Sequence, residues 1–500
     1  MPTETAAVRR LPDQPDLDHL RRQAKSLQRQ VRAAEPDAID LVHNFDPSAE
    51  VGADFTLTGA QLVIARSYGF AGWRRLREYI KIVNDYIRFP EPAPIQDDSI
   101  DPADSADRLL QLATLNYTRD RSEALAAGRE LLARSPGLAT ANVYTMAATG
   151  AADRLAAELR TSPELVNANG GPFAWPPLLY LCYGRLDDRP RRSAVRSAQV
   201  LLEAGADPNA GFLWQGMPSP FTALTGVFGG GEQDQPAHQH AEELARLLLE
   251  AGADPNDNQV LYNRWFRPSN DHLRLLFDHG LGAEVDSPWR RRLGDHYPTV
   301  TQMITEQLRW AANAGMIERV RLLLDHGVDV DGRGYHPVFG DLTPCELAVR
   351  AGNREIATVL ADHGADTGRI DPADLLLGAC MAGDADGMRS ILRDHPSAPQ
   401  RLRDRWPDAV WRAADKGRVD GVRLLLELGL DPDVPGRFGT TALHQAAHDG
   451  RIELVDLLLD SGADPTPTDE RFDSRPSGWA EHAGHHELAA RLRAAEERRT

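Results

Sequence analysis

The chain is poor in lysine. Only Lys25, Lys81 and Lys416 occur in 500 residues. None follows a glycine, so the Gly-Lys-Ser/Thr of a phosphate-binding P-loop is excluded. Cysteine is as scarce. Cys182, Cys345 and Cys380 cannot build a disulfide framework, and their positions read as buried apolar sites in helices. A reducing, cytoplasmic compartment is the expectation. No run approaches the 18 apolar residues of a membrane helix, and the first residues carry no apolar core behind their charges, so neither a membrane span nor a secretory signal is expected. Catalytic signatures are missing too. There is no G-x-S-x-G elbow. His486-Glu487 opens like a zinc-protease helix without its second histidine. Asp329 and Asp331 open like a calcium loop, but Gly340 stands where the bidentate Glu is needed. The triplet Gly229-Gly230-Gly231 reads as a flexible loop. No catalytic, cofactor or metal site is expected, and the chain is read as no enzyme. A site built in the insertions described below is the enzymatic alternative.

Acidic charge is what the chain does have. The formal net charge is -18. Residues 1–90 hold 13 Lys+Arg and 12 Asp+Glu, a balance of +1, which leaves -19 on the remainder. Such a surface repels phosphates and suits a basic partner, although it also serves solubility alone.

Internal repetition organises the rest. The clearest unit is Gly439 to Thr466, GTTALHQAAHDGRIELVDLLLDSGADPT. Thr441 suits a helix N-cap, the paired Ala446 and Ala447 allow close helix approach, and Gly450 permits a left-handed break. Leu443, Val455, Leu458 and Leu459 recur at helical spacing. Two helices this short cannot bury that face alone, so the unit must stack on neighbours. Its ending, SGAD, recurs as EAGAD at 203–207 and 250–254, DHGVD at 325–329, DHGAD at 362–366 and ELGLD at 427–431, with a degenerate DHPSA at 394–398. Gly364 to Pro396 is 32 residues, Pro396 to Gly429 is 33, and Gly429 to Gly462 is 33.

A period of 33 with these residues resembles the ankyrin repeat. The 439–466 unit follows the family pattern throughout, except that Ala442 replaces a proline. Thr343-Pro344-Cys345-Glu346-Leu347-Ala348 keeps the opening and loses its Leu and His. The resemblance implies an all-α ankyrin-repeat solenoid of about ten helix-pair repeats with short fingers over 104–500, capped by a helical piece at 475–499. It also implies a structural role for His444. Insertions interrupt the early repeats at 186–195, 229–239 and 286–299, the last read as an extended finger. Ahead of the array, the expected order is a disordered tail at 1–15, a small helical domain at 16–88 and a Pro/acid-rich linker at 89–103. Within 16–88, Leu17, Leu20, Ala24, Leu27 and Val31 form one apolar seam, and residues 58–87 read as helix, turn at Gly69, helix. This region is similar to one seen ahead of ankyrin arrays in other bacterial proteins. Read as a DNA-binding helix-turn-helix it departs from pattern, because Arg75 and Glu78 stand where inward apolar residues belong.

His279, His326, His363 and His395 recur at the ends of second helices, a structural place. His482, His485 and His486 are the one cluster with metal-binding potential, weaker than that structural reading. The expected function is a non-catalytic scaffold that binds another protein, of basic character, through fingers and the concave helix face, as a monomer and without nucleic acid or membrane. The alternative is a transcription-linked DNA binder using residues 17–88. Candidate contacts are the aromatic and arginine residues between repeats: Phe173, Trp175, Phe212, Trp214, Trp289, Arg290, Arg291, Tyr297, Tyr335 and Phe339. Trp, Tyr and Arg dominate binding hot spots. The competing reading is that these rings pad irregular loops.

Overall fold

The computed structural model describes residues 9, 11–12, 14–89, 102–117, 122–186 and 192–499. Most of the linker 89–103, half of the insertion 186–195 and most of the tail 1–15 lie outside them. Of that tail, Arg9 donates its backbone N–H to Ser67 O and Pro15 is buried. The chain divides into two compact units, residues 1–300 and 301–500. Among the described residues, no helix is long and apolar enough to cross a membrane.

The first unit opens with α1 (Leu17–Arg32), α2 (Pro36–Phe45), α3 (Leu57–Ser67) and α4 (Trp73–Tyr86). Asp16 caps α1 by accepting from Asp18 N, and Thr56 caps α3 by accepting from Gly59 N. Leu20, Ala24, Leu27 and Val31 are buried along α1, as their spacing predicts. They share a core with Val42, Ile64, Leu76 and Ile80 from the other three helices and with Phe55 from the loop before α3. The chain then runs into β1 (Ile87–Arg88), which pairs in parallel with β2 (Gly211–Trp214), and β2 pairs antiparallel with β3 (Pro220–Thr222). One finger is thus a true hairpin, extended by a strand from more than a hundred residues upstream.

Helix pairs make up the rest of this unit, among them Val143–Ala148 with Ala152–Thr161, Ala223–Phe228 with Ala241–Glu250, and Asn258–Asn263 with Asp271–Asp278. The second unit repeats the scheme: Pro344–Arg350 with Arg354–Asp362, Pro372–Met381 with Ala385–Asp394, Ala409–Asp415 with Val419–Glu427, Ala442–His448 with Ile452–Asp460, and Pro476–His482 with His486–Arg499. One apolar core runs from Ala373 to Leu492 through the last four of these pairs. Thr441 and His444 form a reciprocal cap, and the other ring nitrogen of His444 meets Ser474 O at 3.0 Å, so this histidine ties its helix to the next finger. Gly450 (φ +66°) and Gly462 (φ +91°) make the two left-handed turns of the unit. His326 and His363 are helix C-caps whose Nδ1 lies 2.8 Å from the carbonyls of Leu322 and Val359. All three thiols are buried, and burial pushes Cys182 and Cys380 up to about 12 and Cys345 to about 11.

Two insertions differ from the loops expected of them. Residues 288–293 form a helix, Pro288–Leu293, instead of an extended finger. Ser287 caps it at Arg290 N, proline opens it, and Trp289 and Leu293, four apart, both turn inward. The glycines 229–231 form a tight closed turn in which Gly230 and Gln235 exchange backbone hydrogen bonds and Gly231 N donates to Asn263 O. A third change follows Asp394. Where other repeats place a glycine at φ +75° to +96°, Pro396 cannot adopt that angle. The chain forms an extra helix there, Ala398–Arg405, in place of a finger.

A polar ladder sets the spacing between repeats. The Asp of each Gly-Ala-Asp ending accepts from the backbone N–H two residues on, as Asp207 does from Asn209 and Asp254 from Asn256. The residue so placed reaches the next repeat: Asn209 accepts from Asp254 N at 2.8 Å and donates to Gly252 O at 2.9 Å. Asn167 does the same to Asp207 and Gly205, and Asp433 accepts from Asp464 N in the second unit.

Candidate partner-binding surface

The aromatic candidates of the first unit are core residues. Phe173, Trp175, Phe212, Trp289 and Tyr297 are each at most 5% exposed. Trp175 stacks on Phe212 at 4.8 Å, Phe212 stacks on Phe221 at 5.6 Å, and Tyr183 closes against Trp175 at 5.1 Å. The hairpin β2–β3 folds these rings inward onto the helix Pro177–Tyr183. Tyr297 lends its hydroxyl to Asn256 O and accepts from Asn258 N. Trp214 is half-buried, 6.1 Å from Phe221. In the second unit Phe339 is buried beneath the Arg309 guanidinium, and only Tyr335 is exposed. Arg290 and Arg291 are engaged within their own loop, by Glu284 and Asp286. Most of this set is thus packed inside the protein and offers no exposed ring.

Trp289 explains what the insertion does. Its indole N–H donates to Asn209 O at 3.0 Å, its ring meets Tyr86 of α4 edge-on at 5.0 Å, and the Arg292 guanidinium lies over both rings. Beside it His296 packs 4.2 Å from Phe70 and 4.5 Å from Tyr79. The helix α4 and the turn before it thus cover the insertion that looked available to a partner. Trp289→Ala should lower stability by roughly 3 kcal/mol and raise hydrogen exchange across 73–88. An unchanged melting temperature would show that this contact is dispensable.

The two most exposed rings among the described residues lie elsewhere. Phe438 is 60% exposed and Phe472 62%. They sit at the tips of two successive fingers. The Arg471 guanidinium lies between them, 5.8 Å from the Phe438 centroid and 5.1 Å from that of Phe472. Both tips are held rigidly. Phe438 takes a left-handed backbone (φ +57°), fixed by Gly436 N to Thr440 O at 2.8 Å and by Glu470 N to Phe438 O at 2.8 Å. Gly436 is obligatory, because a Cβ there would lie 2.0 Å from the Trp411 ring, whose N–H in turn donates to Thr440 Oγ1. The second tip is organised by Asp469. Its buried carboxylate accepts from Arg471 N, Phe472 N, Ser474 N and the Trp479 indole N–H. Burial works to raise its pKa, but these donors outweigh that and hold it below the ordinary value.

These fingers project from a stretch with a family match. Residues 376–469 match the model for ankyrin repeats, in three copies. That stretch of the chain is an ankyrin-repeat array. A search of curated proteins found no match. Ankyrin repeats generally mediate protein–protein interaction and are typically non-catalytic. The first exposed tip, Phe438, lies inside the matched stretch and the second, Phe472, just beyond it. Sequence reasoning passed over both rings because each stands alone in a polar turn. A signal was present: Arg437-Phe438 and Arg471-Phe472 repeat the same dipeptide 34 residues apart, close to the repeat period.

Proposed function

We propose that this ankyrin-repeat protein is a non-catalytic scaffold that binds another protein through its C-terminal finger tips. The helix pairs outside 376–469 are read as degenerate copies of the same repeat, extending the array toward both ends. The observation that carries the reading is the pair of rigidly held, majority-exposed phenylalanines at successive fingers. These two are the most exposed rings among the described residues and share one guanidinium, and binding hot spots favour aromatic and arginine anchors. The concave helix face would add area without anchors of this size. A DNA-binding role for residues 17–88 has less support, since Arg74 and Arg75 of α4 are drawn to Glu78 and the same helix is packed against Trp289 through Tyr86.

The test is affinity capture by the full chain beside its F438A/F472A variant. The double variant should keep its melting temperature, because both rings are largely solvated, and should weaken the captured partner by roughly 2–4 kcal/mol. Binding that survives both truncations moves the surface elsewhere.

A further inference from the structure

The chemistry of the two finger tips also specifies the partner, provided that they are the binding surface. Arg437 and Arg471 are exposed, and neither makes an ion pair with a carboxylate among the described residues. Most other arginines of the second unit do, as Arg321, Arg354, Arg401, Arg475 and Arg491 illustrate. The Arg471 guanidinium lies near the two phenyl rings instead. The tips therefore present two guanidinium groups without an ion-pair partner among the described residues, beside two apolar rings. We infer that this surface receives a segment of a partner protein in which an Asp or Glu lies next to large apolar side chains, the carboxylate meeting Arg471 and the apolar groups covering Phe438 and Phe472.

The acidity of the chain as a whole points the other way, toward a basic partner, and distance decides between them. Charges farther than a Debye length, about 8 Å at physiological ionic strength, steer encounter but contribute little to a formed contact. A carboxylate that joins a guanidinium already fixed against rings gains a charge-assisted hydrogen bond with little ordering cost. Residues 301–500 hold 24 Lys+Arg against 34 Asp+Glu, and Glu470 and Asp473 stand exposed at the rim. That surrounding charge repels a polyanion such as single-stranded nucleic acid, although stacking on two rings would otherwise suit its bases. One carboxylate set among apolar groups meets the cations without crowding the rim.

The experiment uses the full-length protein and fluorescently labelled 12-residue peptides in three sets, acidic–apolar, basic–apolar and neutral–apolar, with single-stranded oligonucleotides of mixed sequence as a fourth probe. Anisotropy is read for native protein, for F438A/F472A and for the charge reversal R471E. The acidic–apolar set should bind best, F438A/F472A should weaken it at least tenfold, and R471E should move the preference to the basic–apolar set. Melting curves of both variants should overlay the native one. Basic–apolar binding that F438A/F472A abolishes and R471E leaves unchanged would overturn the charge assignment while leaving the finger tips as the surface. Peptide binding that ignores F438A/F472A would place the surface elsewhere on a protein that still binds proteins. Binding of oligonucleotides alone, or of no probe, would overturn the inference.

Discussion

Replacing Arg185 by methionine should cost the first unit roughly 4 kcal/mol, because four backbone carbonyls would lose their buried donor. Arg185 is 7% exposed. Its guanidinium donates to Cys182 O at 3.0 Å, Gly184 O at 2.8 Å, Gly226 O at 2.6 Å and Pro236 O at 2.9 Å. Burial lowers its pKa to about 10, which still leaves it charged at neutral pH. No ion pair with a carboxylate neutralises it among the described residues. Two of the four acceptors end the helix Pro177–Tyr183, one belongs to the helix Ala223–Phe228, and the last closes the turn after Gly229–Gly231. The side chain therefore joins two repeats and fixes that turn. Methionine matches the length and removes the cost of burying a charge, which offsets part of the loss. The orphaned carbonyls remain. Urea unfolding should show a lower midpoint, and exchange should rise first across 177–186 and 223–236. An unchanged midpoint would mean that buried water replaces the donor.

Leu458→Asp should be costlier still, on the order of 5 kcal/mol, by placing an unpaired carboxylate at a position with no exposure. Leu458 lies in the core that runs from Ala373 to Leu492. In a stack, each repeat is stabilised chiefly by its neighbours, so damage spreads from one interface to the next and reaches the end of the chain first. Hydrogen exchange should rise across 442–499 before 344–381. Uniform exchange over 301–500 would show that this unit unfolds as a whole.

Much of the fold was legible because the repeat writes its turns in residue types with few substitutes. Gly450 and Gly462 occupy left-handed turns, Thr441 opens a cap, and Leu443, Val455 and Leu458 are buried. The exposure of the aromatic residues was not legible, for a different reason. Whether Phe212 faces in or out depends on β3 and on Trp175, and whether Trp289 is covered depends on Tyr86, some two hundred residues upstream. Periodicity within a repeat carries no information about such partners. The pairing of Ile87 with Leu213 was hidden for the same reason, since a strand of two residues has no period to detect. At Phe438 and Phe472 the opposite holds: the local turns are polar and rigid, so a lone ring in them has nowhere to fold.

The ladder of Asn and Asp side chains gives the array a property that concerns its history more than its stability. Successive partners along it lie 26, 31, 40 and 45 residues apart in sequence, yet the bonds they form span only 2.8 to 3.0 Å. Each rung fastens the root of one finger to the next, and the length between two rungs is taken up by the finger and by the loop between the paired helices, which runs from 449–451 in one repeat to 229–240 in another. Both kinds of loop can change length or side chains while the helices between them keep their register, so a new surface can arise without a new fold.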